Sequence, residues 1–167
     1  MLSTDAVVHE LYASPEVRDA VVERWGAEMA PEGRTDRAAV AQRAFATSED
    51  REWLEGLLWP RVGERIWAWR QEQAERDPAP RALVVEVPLL FESGMDAAFD
   101  ATLAVVADEA VRRERAGARG HASLDERTAR QLTQEEKAAR ATYTVGNSGT
   151  LEDLEQTLTG VLEKLEQ

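Results

Sequence analysis

Apolar and polar positions alternate with a helical period through the first 75 residues, and the pattern breaks into four segments. Helices are expected from Asp5 to Tyr12, Pro15 to Trp25, Asp36 to Phe45, and Glu49 to about Gln73, the last interrupted at Pro60. Thr35 or Asp36 is placed to cap the third, and Ser48, with Arg51 and Glu52 behind it, resembles a helix start. Trp53, Trp59, Trp67 and Trp69 fall in the fourth segment, where large aromatics are expected to pack between helices.

The period changes after Pro78-Ala79-Pro80. Residues Ala82 to Val87 form a nearly continuous apolar run, the signature of a strand buried on both faces. Ala101 to Val106 and Thr142 to Val145 are two more strand candidates, separated by helical patterns, so right-handed βαβ crossovers and a parallel sheet follow. Leu151, Leu154, Leu158, Val161, Leu162 and Leu165 mark a closing amphipathic helix. The fold class is α/β.

Composition narrows the function. At 167 residues and 43% hydrophobic, the chain suits one domain with its own core. It has no cysteine, which excludes thiol nucleophiles and Cys-ligated metals. Neither a signal-peptide order nor a membrane-length apolar run occurs, so a soluble, cytoplasmic protein without a membrane partner is expected. A net charge of −12 argues against general nucleic-acid binding. The stretch from Val111 to Arg140 is nonetheless net positive, which reads either as a solvated helical face or as a local polyanion site.

Ligands of parallel α/β sheets gather beyond the carboxyl ends of the strands. Pro88-Leu89-Leu90-Phe91-Glu92 follows the first strand candidate, an apolar loop ending in a carboxylate that suits an organic substrate or a packed turn. After the second come Arg112, Arg115 and Arg119 on one helical face, a spacing that can clamp phosphate oxygens. Asn147 lies in the turn after the third, to contact a base edge or to hold the turn. Near the start of the chain, Asp5 and His9 share a helical face: Asp5 either accepts a hydroxyl proton or serves the helix terminus. No metal site is suggested around either histidine.

Taken in order, Thr4 to Leu11, Asp36 to Val40, Leu54 to Pro60, Val87 to Glu92, Arg115, Arg119, Arg127, Gln131, Lys137 and Asn147-Ser148-Gly149 resemble the dephospho-CoA kinase family. The resemblance implies a three-layer, P-loop kinase-like parallel sheet with a helical acceptor subdomain and a lid. It implies transfer of the γ-phosphoryl group of ATP, with Mg²⁺, to the 3′-hydroxyl of dephospho-CoA. On that basis Asp5 is the proton acceptor, His9 and Pro88 to Glu92 face the acceptor, Arg115, Arg119 and Arg127 belong to the lid, and Asn147 lies beside adenine. Residues 4–76 are then the acceptor subdomain of a single domain, 81–107 and 141–167 the core, and 108–140 the lid.

The departures from the family pattern carry expectations of their own. None of the ten glycines is followed by lysine, so the family's Gly-x-x-x-x-Gly-Lys-Ser/Thr loop is not among these residues, nor is a strand leading into it. The chain is expected to be a truncated form, inactive by itself and prone to aggregate. Trp59, Glu86 and Thr142 stand where histidine, aspartate and aspartate are usual.

Overall fold

The computed structural model describes residues 1–118 and 131–166, which divide into two compact units, Met1–Pro88 and Leu89–Gln167. The first unit opens with strand β1 (Leu2–Ser3) and runs directly into helix α1 (Thr4–Ala13). Ser14 ends α1 and caps α2 (Pro15–Trp25), its hydroxyl accepting from the Val17 N–H while Pro15 supplies a preset first turn. Two short 3₁₀ turns, Ala27–Met29 and Pro31–Gly33, lead to α3 (Arg37–Ala44). Of the two cap candidates Asp36 is used: its Oδ1 accepts from the Ala38 and Ala39 N–H groups at 2.9 and 3.1 Å.

Helix α4 (Ser48–Ala74) starts at Ser48 as expected and corrects one expectation, the interruption at Pro60. Its cap is Thr47, whose hydroxyl accepts from the Asp50 N–H. The helix continues through Pro60. Proline forfeits a backbone bond and crowds the carbonyl four residues earlier, here that of Gly56, but Leu58 and Val62 on either side are buried in the same core and hold the helix together. That core joins Val7 and Leu11 of α1, Val17, Val21 and Trp25 of α2, Val40 and Ala44 of α3, and Leu54, Leu58 and Val62 of α4.

Only part of the tryptophan expectation holds. Trp53 meets Trp25 edge to face, with centroids 4.8 Å apart, whereas Trp59 and Trp67 are 39% and 66% exposed. The buried stripe of α4 runs Leu54, Leu58, Val62 at four-residue spacing, and Trp59 is one residue off it. Asp50 ties α2 to α4: Oδ1 accepts from Trp25 Nε1 at 3.0 Å and Oδ2 from the Thr47 hydroxyl at 3.0 Å. Those two hydrogen bonds, helped by the charges of Arg43 and Arg24, hold its carboxyl below the ordinary aspartate value.

The strands are shorter than the apolar runs. Strand β2 (Val85–Glu86) pairs in parallel with β1, Leu2 beside Val85 and Ser3 beside Glu86, and the buried Thr4 hydroxyl donates to the Glu86 carbonyl. In the second unit β3 (Leu103–Val106) pairs in parallel with β4 (Tyr143–Gly146) over four residues. The described strands thus form two two-stranded parallel sheets. Helix α5 (Glu109–Ala118) follows β3, and α6 (Gln134–Arg140) and α7 (Leu151–Leu165) each begin with a reciprocal capping box, Thr133 with Glu136 and Thr150 with Asp153. Among the described residues no helix is long and apolar enough to cross a membrane.

Candidate functional site

In the first unit Asp5 stands two residues beyond the carboxyl end of β1, in the first turn of α1, and is exposed. An acid in a first turn is favoured by the helix dipole, and here it is also free to face solvent. His9, one turn further along, does not pair with it: its Nδ1 lies 2.5 Å from Arg37 Nη1. A guanidinium only donates, so Nδ1 is the acceptor. Around this pair lies a cavity of about 310 Å³ lined by His9, Tyr12, Arg18, Arg34, Thr35 and Arg37, among others. Burial pushes the Tyr12 phenol up, against the opposing charge of Arg37. The Thr35 hydroxyl oxygen is shielded from solvent and has no hydrogen-bond partner among the described residues.

In the second unit, side chains gather at the carboxyl ends of β3 and β4. The Gln134 amide bonds both backbone groups of Ala107, at 2.9 and 3.0 Å, so the start of α6 is fastened to the end of β3. The Ser148 hydroxyl accepts from the Asp108 N–H at 2.8 Å, and Arg115 Nη1 donates to the Asn147 carbonyl at 2.7 Å. Strand ends 40 residues apart in sequence are thereby locked side by side.

The turn Leu89–Gly94 is closed by the Ser93 N–H donating to the Leu89 carbonyl and the Met95 N–H to the Leu90 carbonyl. Glu92 is half-buried there. Its Oε1 accepts from the Leu132 N–H at 3.0 Å and from Lys137 Nζ at 3.1 Å. Burial alone would raise this carboxyl, but its own backbone N–H, Lys137 and the Leu132 N–H together hold it below the ordinary glutamate value. Its Oε2 is shielded and without a partner among the described residues.

Of the residues singled out in the sequence, Arg115 and Asn147 meet, though through the Asn147 backbone rather than its amide. Glu92 meets Lys137, and His9 meets Arg37 rather than Asp5. Arg112 pairs with Glu109 at 2.9 Å on its own helix. Pro88 and Leu89 are exposed, and Leu90 and Phe91 half-buried. Arg119 and Arg127 lie outside the described residues. Sequence reasoning gave no role to Gln134, Ser148, Arg18, Arg34 or Arg37. The available signal was local: Arg34 and Arg37, three apart, interrupt an acidic chain just where its third helix begins.

Parallel strands flanked by helices, with charged and hydrogen-bonding groups collected at the strand ends, define an α/β protein of the kind that holds ligands there. The family model for dephospho-CoA kinase matches residues 1–153. The dephospho-CoA kinase of Deinococcus radiodurans is 37% identical over 169 residues, covering 99% of this chain and 80% of the relative. That of Protochlamydia amoebophila is 35% identical, covering 98% of this chain and 83% of the relative. A crystal structure from Thermus thermophilus superposes with a TM-score of 0.77 at 34% identity, covering 98% and 83% of the two chains. A dephospho-CoA kinase structure from Campylobacter jejuni, 22% identical with a TM-score of 0.66, shares the fold. The chain belongs to the dephospho-CoA kinase family, a family of phosphoryl transferases.

Proposed function

We propose that the chain serves transfer of the γ-phosphoryl group of ATP to the 3′-hydroxyl of dephospho-CoA, giving coenzyme A and ADP. The ribose oxygen forms the new O–P bond, the bond from the γ-phosphorus to the β-bridging oxygen breaks, and Asp5 takes the hydroxyl proton. The observation that carries this reading is the position of Asp5, an exposed carboxylate just beyond a parallel strand in a chain of this family. Residues 4–76 form the acceptor side and 81–107 with 141–167 the core, with Pro88, Leu89, Leu90, Phe91 and Glu92 lining the acceptor site. Arg115, Arg119 and Arg127 are assigned to ATP, and Asn147 to the adenine. Mg²⁺ would arrive on the ATP phosphates.

These 167 residues contain no Gly-x-x-x-x-Gly-Lys loop to cradle those phosphates, so alone they bind dephospho-CoA without turning it over. Two assays test this. Chromatographic detection of coenzyme A from ATP and dephospho-CoA should show none with the 167-residue chain, and clear turnover would refute its inactivity. Where DNA upstream of Met1 encodes the loop in frame, the longer product should be active, and Asp5→Asn should lower kcat by about 10²- to 10⁴-fold. A longer product that is active but indifferent to Asp5→Asn would remove the role given to Asp5.

A further inference from the structure

We propose that the cavity bordered by α1, α2 and the segment entering α3 is an anion site that takes the diphosphate of the acceptor nucleotide through Arg18, Arg34 and Arg37. It rests on the acceptor reading above, since dephospho-CoA joins its adenosine to pantetheine through a diphosphate. Three guanidiniums and a histidine line the cavity and no acid does, in a chain whose net charge is −12. Among the described residues Arg34 and Arg37 have no acidic partner. Arg18 pairs with the exposed Asp19 at 2.7 Å, a surface contact weak enough to be exchanged for a ligand.

The remaining groups are donors in waiting. His9 Nδ1 accepts from Arg37 and thereby fixes the orientation of its planar fork, leaving the other guanidinium N–H groups for phosphate oxygens, which such a fork grips two at a time. His9 is in this respect a positioning residue. The Thr35 hydroxyl is withdrawn from solvent without a partner, an expense that a phosphate oxygen would relieve. Tyr12, with its phenol raised by burial, keeps its proton at neutral pH and can donate it. At about 310 Å³ the cavity is at the small end of ligand pockets, which run from about 300 to 1,000 Å³. It therefore fits one fragment of the acceptor rather than the whole molecule.

The test is calorimetric titration of the 167-residue chain with inorganic pyrophosphate and, separately, with dephospho-CoA. One pyrophosphate should bind per chain, and Arg34→Gln and Arg37→Gln should each weaken both ligands by about 10- to 100-fold. Arg37→Lys keeps the charge but not the fork and should fall between. Arg70→Gln removes the same charge from the exposed C-terminal half of α4 and should change neither, and the near-ultraviolet signal of the Trp25–Trp53 pair reports that each variant is folded. Absence of saturable pyrophosphate binding, or equal weakening by Arg70→Gln, overturns the site. Dephospho-CoA binding that ignores Arg34 and Arg37 also overturns it while the acceptor reading stands. Pyrophosphate binding that needs both arginines, in a chain that does not bind dephospho-CoA, keeps the anion site and removes the acceptor reading.

Discussion

Gly26 closes α2 at φ +104° and ψ 165°, a backbone region that is open almost only to glycine. A Cβ there would also collide with the Glu28 carboxylate, which can swing away, so the backbone term decides the cost. Gly26→Ala should lose about 1–3 kcal/mol of stability in a urea melt. Glu92 gives a prediction with a pH signature. Its folded carboxyl lies below the ordinary value of 4.5, so its contribution is fully present above about that pH and fades as pH falls through the lowered folded value. Glu92→Gln should cost about 1–3 kcal/mol at pH 7 by leaving Lys137 and the Leu132 N–H with a poorer acceptor. Its melting curves should then converge on the wild type below pH 4.5; a constant gap down to pH 3 would show that charge on Glu92 is not what stabilises the turn.

At the scale of elements, stability is concentrated in the helices of the first unit. Eleven buried apolar residues form one cluster there, whereas Ala104 and Val145 are the buried apolar residues of the second unit among those described. Leu58→Ala, two residues before Pro60, should cost about 2–5 kcal/mol, and amide exchange should be slowest in α2 and α4 and faster in β3 and β4. Exchange that is slowest in β3 would contradict this. The helices were legible in the sequence because their burial is periodic: α2 spans Pro15 to Trp25 as expected, with Val17, Val21 and Trp25 at four-residue spacing. Strand extent was not, because a strand lasts only as far as a partner pairs with it, and Leu2–Ser3 is too short to leave a period. The candidate site divides in the same way. Strand-end positions such as Glu92, Arg115 and Asn147 follow from topology, but their partners lie 32 to 45 positions away, as with Asn147 from Arg115 and Lys137 from Glu92. Of the cavity arginines, Arg18 lies on α2, Arg34 follows a 3₁₀ turn and Arg37 starts α3, so no single periodic stripe groups them.

For the molecule as a whole, apolar exposure and net charge oppose each other. Val84, Leu103, Val105, Leu151 and Leu165 are 39% to 72% exposed, and three of the five belong to β-forming runs of the kind that associate when uncovered. A charge of −12 at neutral pH keeps molecules apart, and that repulsion is long-ranged only at low salt, with a screening length of about 10 Å at 0.1 M. Raising the salt, or lowering the pH toward the isoelectric point near 4.7, should therefore let these surfaces meet, and static light scattering should rise with both. Acid has a second action, because Glu92 and Asp50 lose their stabilising charge only below the isoelectric region, so association near pH 4.7 should precede unfolding rather than result from it. The order can be read by following scattering and the near-ultraviolet tryptophan signal in one titration. Scattering that rises while the tryptophan signal is still native is the expected result. A flat scattering trace in salt and acid would mean that the exposed aliphatic residues do not associate, and simultaneous changes would assign the aggregation to the unfolded chain.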